Sequence, residues 1–473
     1  MKNLNIRKKL VSLAVASAVT GGAMMAAPAH ALSVSGDNLG QVLLFPYYTV
    51  KNGYDTLFTV TNTSDQTAVM KIRWREALNS REVRDFNVIL SPNDVWTGVV
   101  TSTVDGALVR TFDKTCTSPQ LPISTVAGAR EVPFTNVLFS GNFKDGATDA
   151  MTRVKEGYFE VFLMGLSSRS TSSSSNTLEY NAKHVNGVPR DCAKVDALFL
   201  DTTAINVYMG APQDVLKGHT TLINVATGIA IDADPTAIDS FHNSGPYVSA
   251  PGDLDPSLAS GDSFGTAYRM VNGLPDNVAF VGSVDGVSDL LRATSVINEY
   301  ATGANAKSSW VMTFPTKHVY TDSYTAFTGP TLEDGTPSGG FSEWFFNSST
   351  DGKSCDDIGV SSFDREEFGG AAGGTDFSPA PVGTSVALCY ETNVIDFNGS
   401  NVFGTGDNHL GFTANGAAGW AALSFSEAPA TTYGGLPVIG FAATNRDGTN
   451  ATVNYGSSAE HAYQRTHLVR PLP

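Results

Sequence analysis

Short apolar runs separated by turn residues recur along the whole chain. Residues 41–48 (QVLLFPYY) form a continuous apolar and aromatic run, followed by a second run at 56–61 that ends in the turn Asn62-Thr63-Ser64-Asp65. Residues 69–74, 86–90 and 95–100 continue the series, with Ser91-Pro92-Asn93-Asp94 between the last two. Residues 158–163 read as another strand, interrupted by the polar Glu160. Further runs lie at 221–225, 294–300, 310–314, 386–390, 394–397, 420–425 and 438–442, and in the run 310–314 Trp310, Met312 and Phe314 share one face. Runs of this length, bounded by Asn, Asp, Gly, Pro and Ser, predict a mainly β protein. The expected architecture is an antiparallel β-sandwich, immunoglobulin-like or jelly-roll, in two packed β units with long loops and a few short helices.

The breakers place the rest. Residues 294–300 and 310–314 look like paired strands around Gly303-Ala304-Asn305. Asp234-Pro235 suits the start of a short helix, with Asp as N-cap and Pro in the first turn, and residues 288–292 suit a helical turn. Residues 167–176 (SSRSTSSSSN) are a low-complexity serine loop. The expected organisation is residues 1–31 as a signal peptide, 32–200 as an N-terminal β-sandwich unit carrying the serine loop, and 201–473 as a C-terminal β-rich unit.

The N-terminus has the form of an export address. Lys2, Arg7, Lys8 and Lys9 precede an apolar run, and Ala29-His30-Ala31 gives the small–x–small cleavage pattern. The run is too short to remain as a membrane span, and no later stretch is apolar enough to be one. The expected location is therefore outside the cytoplasm: extracellular, on the cell surface or in the periplasm. Four cysteines, Cys116, Cys192, Cys355 and Cys389, fit disulfides in that setting. Three pairings exist, and sequence proximity favours Cys116–Cys192 with Cys355–Cys389.

Composition narrows the function. The chain has 473 residues, 30 basic against 46 acidic, and a formal charge of −16. Losing the four N-terminal cations leaves 26 basic residues against 46 acidic, a net −20. This argues against nucleic acid, whose phosphates need a basic surface. Charged residues make up 16% of the chain, against roughly 25% in ordinary soluble domains. A low charge density of this kind suits a structural or adhesive role outside the cell.

Four runs in order, GQVLLFPYYTV from Gly40, NSREVRDFNVILSPNDVWTG from Asn79, WVMTFPTKHVYTD from Trp310 and GLPVIGFAA from Gly435, carry a resemblance over most of the chain. Together they resemble a family of exported proteins of Gram-negative bacteria with no assigned activity. The resemblance implies one secreted unit and transfers no catalytic or binding residue.

Candidate chemistry is sparse. Lys71, Arg73 and Arg75 alternate with Met70, Ile72 and Trp74, placing three cations on one strand face, with Arg81 and Arg84 close behind. This stripe would grip an anionic polysaccharide or an acidic neighbouring copy, unless Glu76, Glu82 and Asp85 neutralise it locally. Tyr47 and Tyr48, or Trp344-Phe345-Phe346, would serve a carbohydrate if exposed; in a core strand they would only pack. Pro46 beside them suits an edge strand. Gly261-Asp262-Ser263-Phe264-Gly265 matches the G-x-S-x-G elbow of serine hydrolases, but no core strand precedes it. Asp232-Ala233-Asp234 and Asp253-Leu254-Asp255 are oxygen-rich loops that would suit calcium, although neither has the EF-hand glycine. No histidines stand at zinc-protease spacing and no CxxC occurs, so no metal or other cofactor is expected beyond that calcium. The expectation is a non-catalytic surface or extracellular-matrix protein. A secreted carbohydrate-binding protein and a hydrolase using Ser263 are the alternatives.

Overall fold

A computed structural model describes residues 32–167, 176–262, 265–271, 274–280, 282–303, 305–323, 330–333, 335–348, 352–367, 369, 384–425, 434–447 and 454–465. Their strands form two sandwiches, as the alternating pattern predicts. In the first, one sheet runs Ser33–Val34, Thr236–Asp239, Val42–Thr49, Glu156–Ser167, Ala68–Glu76, Glu82–Leu90, Cys116–Ser118, with Met209–Gly210 beside Glu156–Ser167. Its partner runs Ile229–Asp232, Leu216–Asn224, Asp55–Asn62, Val95–Ser102, Ala107–Thr111, Arg130–Pro133. Phe45, Phe58, Trp74, Phe86, Trp96 and Phe159 fill the space between them, with Phe45 and Phe159 stacked 4.1 Å apart. Strands from residues 209–239 thus complete a sandwich begun at residue 33.

In the second sandwich, one sheet runs Thr384–Leu388, Asp356–Asp364, Ala418–Phe425, Arg292–Ala301, Leu436–Pro437, with Ala462–Arg465 also on Arg292–Ala301. The other runs His409–Phe412, Thr392–Phe397, Ala306–Thr313, Ile439–Asp447, Asn454–Glu460, and its first pair is parallel. Trp310, Met312 and Phe314 enter this core together, as their shared face predicts. The turn between Arg292–Ala301 and Ala306–Thr313 does not make a hairpin. It carries the chain from one sheet to the other, so the two strands face each other across the core instead of pairing. The Asp234-Pro235 signal likewise starts no helix. Thr236–Asp239 is a strand, because Ala237 and Ile238 are drawn into pairing with Val42–Thr49.

The aromatic strand Val42–Thr49 explains how the sandwiches meet. It is central, not an edge, and is buried along its whole length. Pairing with Thr236–Asp239 stops at Leu44, and a bulge opposite residues 157–159 absorbs Pro46. Gly157 is required there, since a Cβ would lie 1.9 Å from the Arg75 carbonyl oxygen. The bulge switches the facing of the side chains. Phe45 and Tyr48 point into the first core, while Tyr47 joins Tyr54, Leu222 and Ile231 against Val311, Val394, Phe403 and Phe441 of the second sandwich. Helix Ser283–Leu291 packs Val287, Leu290 and Leu291 over Val42 and Leu44. A run hydrophobic at every position is therefore a strand covered on both faces.

The two disulfides are Cys116–Cys192 and Cys355–Cys389. The first ties a sheet strand to helix Cys192–Leu198, whose N-cap Asp191 accepts from the Lys194 amide at 3.1 Å. Asp191→Ala is expected to lower stability by about 1 kcal/mol, read as a shift in the urea midpoint with an unchanged slope. No helix among the described residues is long and apolar enough to cross a membrane.

Candidate functional site

The basic stripe does not face solvent. Met70, Ile72 and Trp74 enter the first core as the alternation predicts. Lys71 and Arg73 lie on the opposite face, but the loop at 249–256 covers it and both are fully buried. The Lys71 ammonium donates to the carbonyl oxygens of Ala250, Asp253 and Asp255 at 2.9, 2.8 and 2.7 Å, with Asp85 3.4 Å away. Burial lowers its pKa to about 8, more than Asp85 raises it. Arg73 pairs with Glu82 at 2.7 Å and donates to the carbonyls of Pro256 and Asp253. Arg75 pairs with Glu160 at 2.8 Å, which accounts for the polar interruption in the strand Glu156–Ser167. The stripe is thus a seam that clamps a loop onto the sheet, and its charges are spent inside the protein.

The same contacts bear on the other candidates. Two backbone oxygens of the Asp253-Leu254-Asp255 loop are already taken by Lys71 and Arg73. Asp232 and Asp234 are exposed and bond Thr221 and His219. Tyr47 and Tyr48 are fully buried, and their hydroxyls donate to Glu156 and to the Val154 carbonyl. They belong to the interior, because the bulged strand is covered on both sides. Phe345 is buried against Leu78 and Tyr390. Ser263 lies outside the described residues. The flanking geometry is unlike an elbow: a strand, Gly265–Val271, follows the motif where the elbow needs a helix.

Buried polar groups also join the sandwiches. Glu156 accepts from Tyr47 and Lys51 and lies 2.8 Å from His409 Nε2, while His409 Nδ1 lies 3.4 Å from Asp396. Burial would raise the Glu156 pKa, but Lys51 and His409 hold its carboxyl well below the ordinary range. His318 Nδ1 lies 2.7 Å from Glu391. Burial lowers His318 to about 3 and raises Glu391 to about 8, so it opposes charge on both partners. The Glu156–His409 pair spans the two sandwiches, and beside the His318–Glu391 pair it is the Glu391 amide that crosses, donating to the Leu78 carbonyl at 3.2 Å.

The open site is elsewhere, at the edge of the second sandwich, where strands of both its sheets line one groove. Glu299, Trp420 and Phe363 stand opposite one another across three neighbouring strands. Phe363 stacks on the Trp420 indole with centroids 4.5 Å apart and planes 18° apart. Trp420 remains 41% exposed. Glu299 and Trp420 line a groove of about 570 Å³, with Asp364, Arg365 and Glu367 on one side and Thr444, Arg446, Ser457 and Ser458 on the other. Strand Ala462–Arg465 pairs with Arg292–Ala301 only as far as Ile297, which leaves residues 298–301 as the groove's edge. Asn298 closes one end by donating to the carbonyls of Ala459 and Glu460 at 3.2 and 3.1 Å. The side chains of Glu299, Arg365, Glu367 and Arg446 take no hydrogen bond or ion pair from the described residues. An exposed indole with unpaired charges around it is equipped to bind. The described lining residues include no histidine and no cysteine.

No protein-family model matches this chain, and neither a curated protein nor a solved structure matches it.

Proposed function

We propose that this is an exported, non-catalytic adhesive protein of the cell surface or extracellular matrix, which makes contact through the Trp420 groove. The exposed Trp420–Phe363 stack carries the reading. Large aromatic side chains left in water on a rigid sheet cost stability and are recurrent anchors of binding sites. The four unpaired charges beside it supply orienting groups. Export is supported by the N-terminal pattern of residues 1–31, by the resemblance to an exported family, and by two disulfides that suit an oxidising compartment.

Fractionating a native culture and comparing attachment of wild-type and deletion strains tests this. The protein is expected outside the cytoplasm, and loss of the gene is expected to reduce attachment several-fold. Cytoplasmic retention, or equal attachment by both strains, overturns the proposal.

A further inference from the structure

Resting on the adhesive reading, we infer that the Trp420 groove is a carbohydrate site for neutral pyranoses whose ring hydroxyls are equatorial. Such a sugar presents flat faces of C–H groups, which carry slight positive charge. The indole face carries the complementary negative quadrupole. Phe363 occupies one side of the stack and holds the indole in place.

The surroundings of Trp420 favour a flat ring over a bulky side chain. Along Ala418–Phe425, the inward positions are Ala421, Leu423 and Phe425, and the outward ones are Ala418, Trp420, Ala422 and Ser424. The outward neighbours are small, so the indole stands over a low bench. Directly opposite on Asp356–Asp364 lies Phe363, with Ser361 and Gly359 further along the same face.

The polar lining matches hydroxyl chemistry. Each carboxylate offers acceptors to a sugar O–H, and each guanidinium offers paired donors to adjacent ring oxygens. Glu299 and Glu367 balance Arg365 and Arg446, so the unpaired charges of the lining sum to zero. A lining without excess positive charge gives a polyanion no advantage and leaves uncharged sugars as the matching class. A volume of about 570 Å³ falls within the roughly 300–1,000 Å³ usual for small-ligand sites.

The test uses the mature protein with cellohexaose as the neutral probe and an alginate hexasaccharide as the anionic one. Calorimetry and tryptophan emission are the readouts. Trp74, Trp96 and Trp310 are fully buried and Trp344 is half-buried, so the emission change that Trp420→Phe removes is the part that reports on Trp420. Wild type is expected to bind cellohexaose. Trp420→Ala is expected to weaken binding at least about tenfold, equivalent to roughly 1.4 kcal/mol. Trp420→Phe should retain part of the affinity while losing the emission change, and Glu299→Gln should weaken binding several-fold. All three variants should keep the wild-type melting temperature within a few degrees, which separates lost binding from lost folding.

Binding of alginate alone, abolished by Arg446→Gln, overturns the neutral-sugar inference. Absence of binding to both probes, with attachment still sensitive to Trp420→Ala, also overturns it and leaves an adhesive protein with a non-carbohydrate partner. Attachment indifferent to the whole gene removes the adhesive reading, whatever the sugar result.

Discussion

Replacing Arg153 with methionine is expected to destabilise the protein by roughly 3–5 kcal/mol, the usual consequence of stranding buried charges. Arg153 makes two forked contacts. Nε and one terminal nitrogen reach Glu76 at 2.7 and 3.0 Å, and both terminal nitrogens reach Asp145 at 2.9 and 2.7 Å. The guanidinium also lies 4.4 Å above the Phe139 ring. Glu76 in turn accepts from the amides of Leu78, Asn79 and Arg81 and so shapes the turn before Glu82–Leu90. Asn79 and Arg81 extend the network to Asp322 at 3.1 and 2.8 Å, joining it to the second sandwich. Removing Arg153 leaves Glu76 and Asp145 buried with too little positive charge. Burial already pushes Asp145 upward, and in the native protein Arg153 more than reverses that push. In the variant a carboxyl pKa must therefore rise. Stability is then present at low pH and lost as pH increases through the raised value. Denaturant titrations at pH 5 and pH 8 should show the larger deficit at pH 8. Equal deficits at both would mean that packing over Phe139, not charge, is what Arg153 provides.

The fold was legible wherever side-chain parity decided the outcome. Met70, Ile72 and Trp74 enter one core, and Trp310, Met312 and Phe314 the other, because period-2 alternation needs no knowledge of distant strands. The same parity misled at Lys71, Arg73 and Arg75. It assigns them correctly to the opposite face, but it cannot reveal that a loop nearly 180 residues away covers that face. Glu160 was the visible clue, since a lone carboxylate in an apolar strand calls for a buried cation. Pro46 misled for a related reason: a bulge accommodates it in a central strand as well as an edge would. The strands flanking Gly303 were individually legible, but a short turn does not say whether its strands pair or cross between sheets. The groove does leave a signal in the strand pattern. In Ala418–Phe425, Trp420 is the large aromatic on the outward parity, and Phe363 breaks parity in the same way on the next strand. Their adjacency required the sheet order, which residue spacing does not contain.

His409 is expected to make stability fall between neutral and alkaline pH. Burial alone would lower its pKa, but Glu156, aided by the hydrogen bond to Asp396, raises it from 6.5 to about 9. A pKa raised on folding contributes stability that is fully present below the unfolded value and lost as pH rises through the folded one. The window is therefore pH 6.5 to 9, and a shift of that size corresponds to about 3 kcal/mol. Glu156 stays ionised across the window, so the loss belongs to the imidazolium. Two other buried groups titrate nearby. Glu391, raised to about 8, removes stability as pH rises toward that value. Lys71, lowered to about 8, adds stability above it, because the unfolded chain holds the proton longer. Both are present in wild type and in His409→Gln, so the difference between the two proteins isolates the imidazole. The variant should be less stable by several kcal/mol at pH 6, and the gap should narrow by about 3 kcal/mol by pH 9.5. A gap that stays constant from pH 6 to 9.5 would show that His409 joins the sandwiches by packing and neutral hydrogen bonds, without its charge.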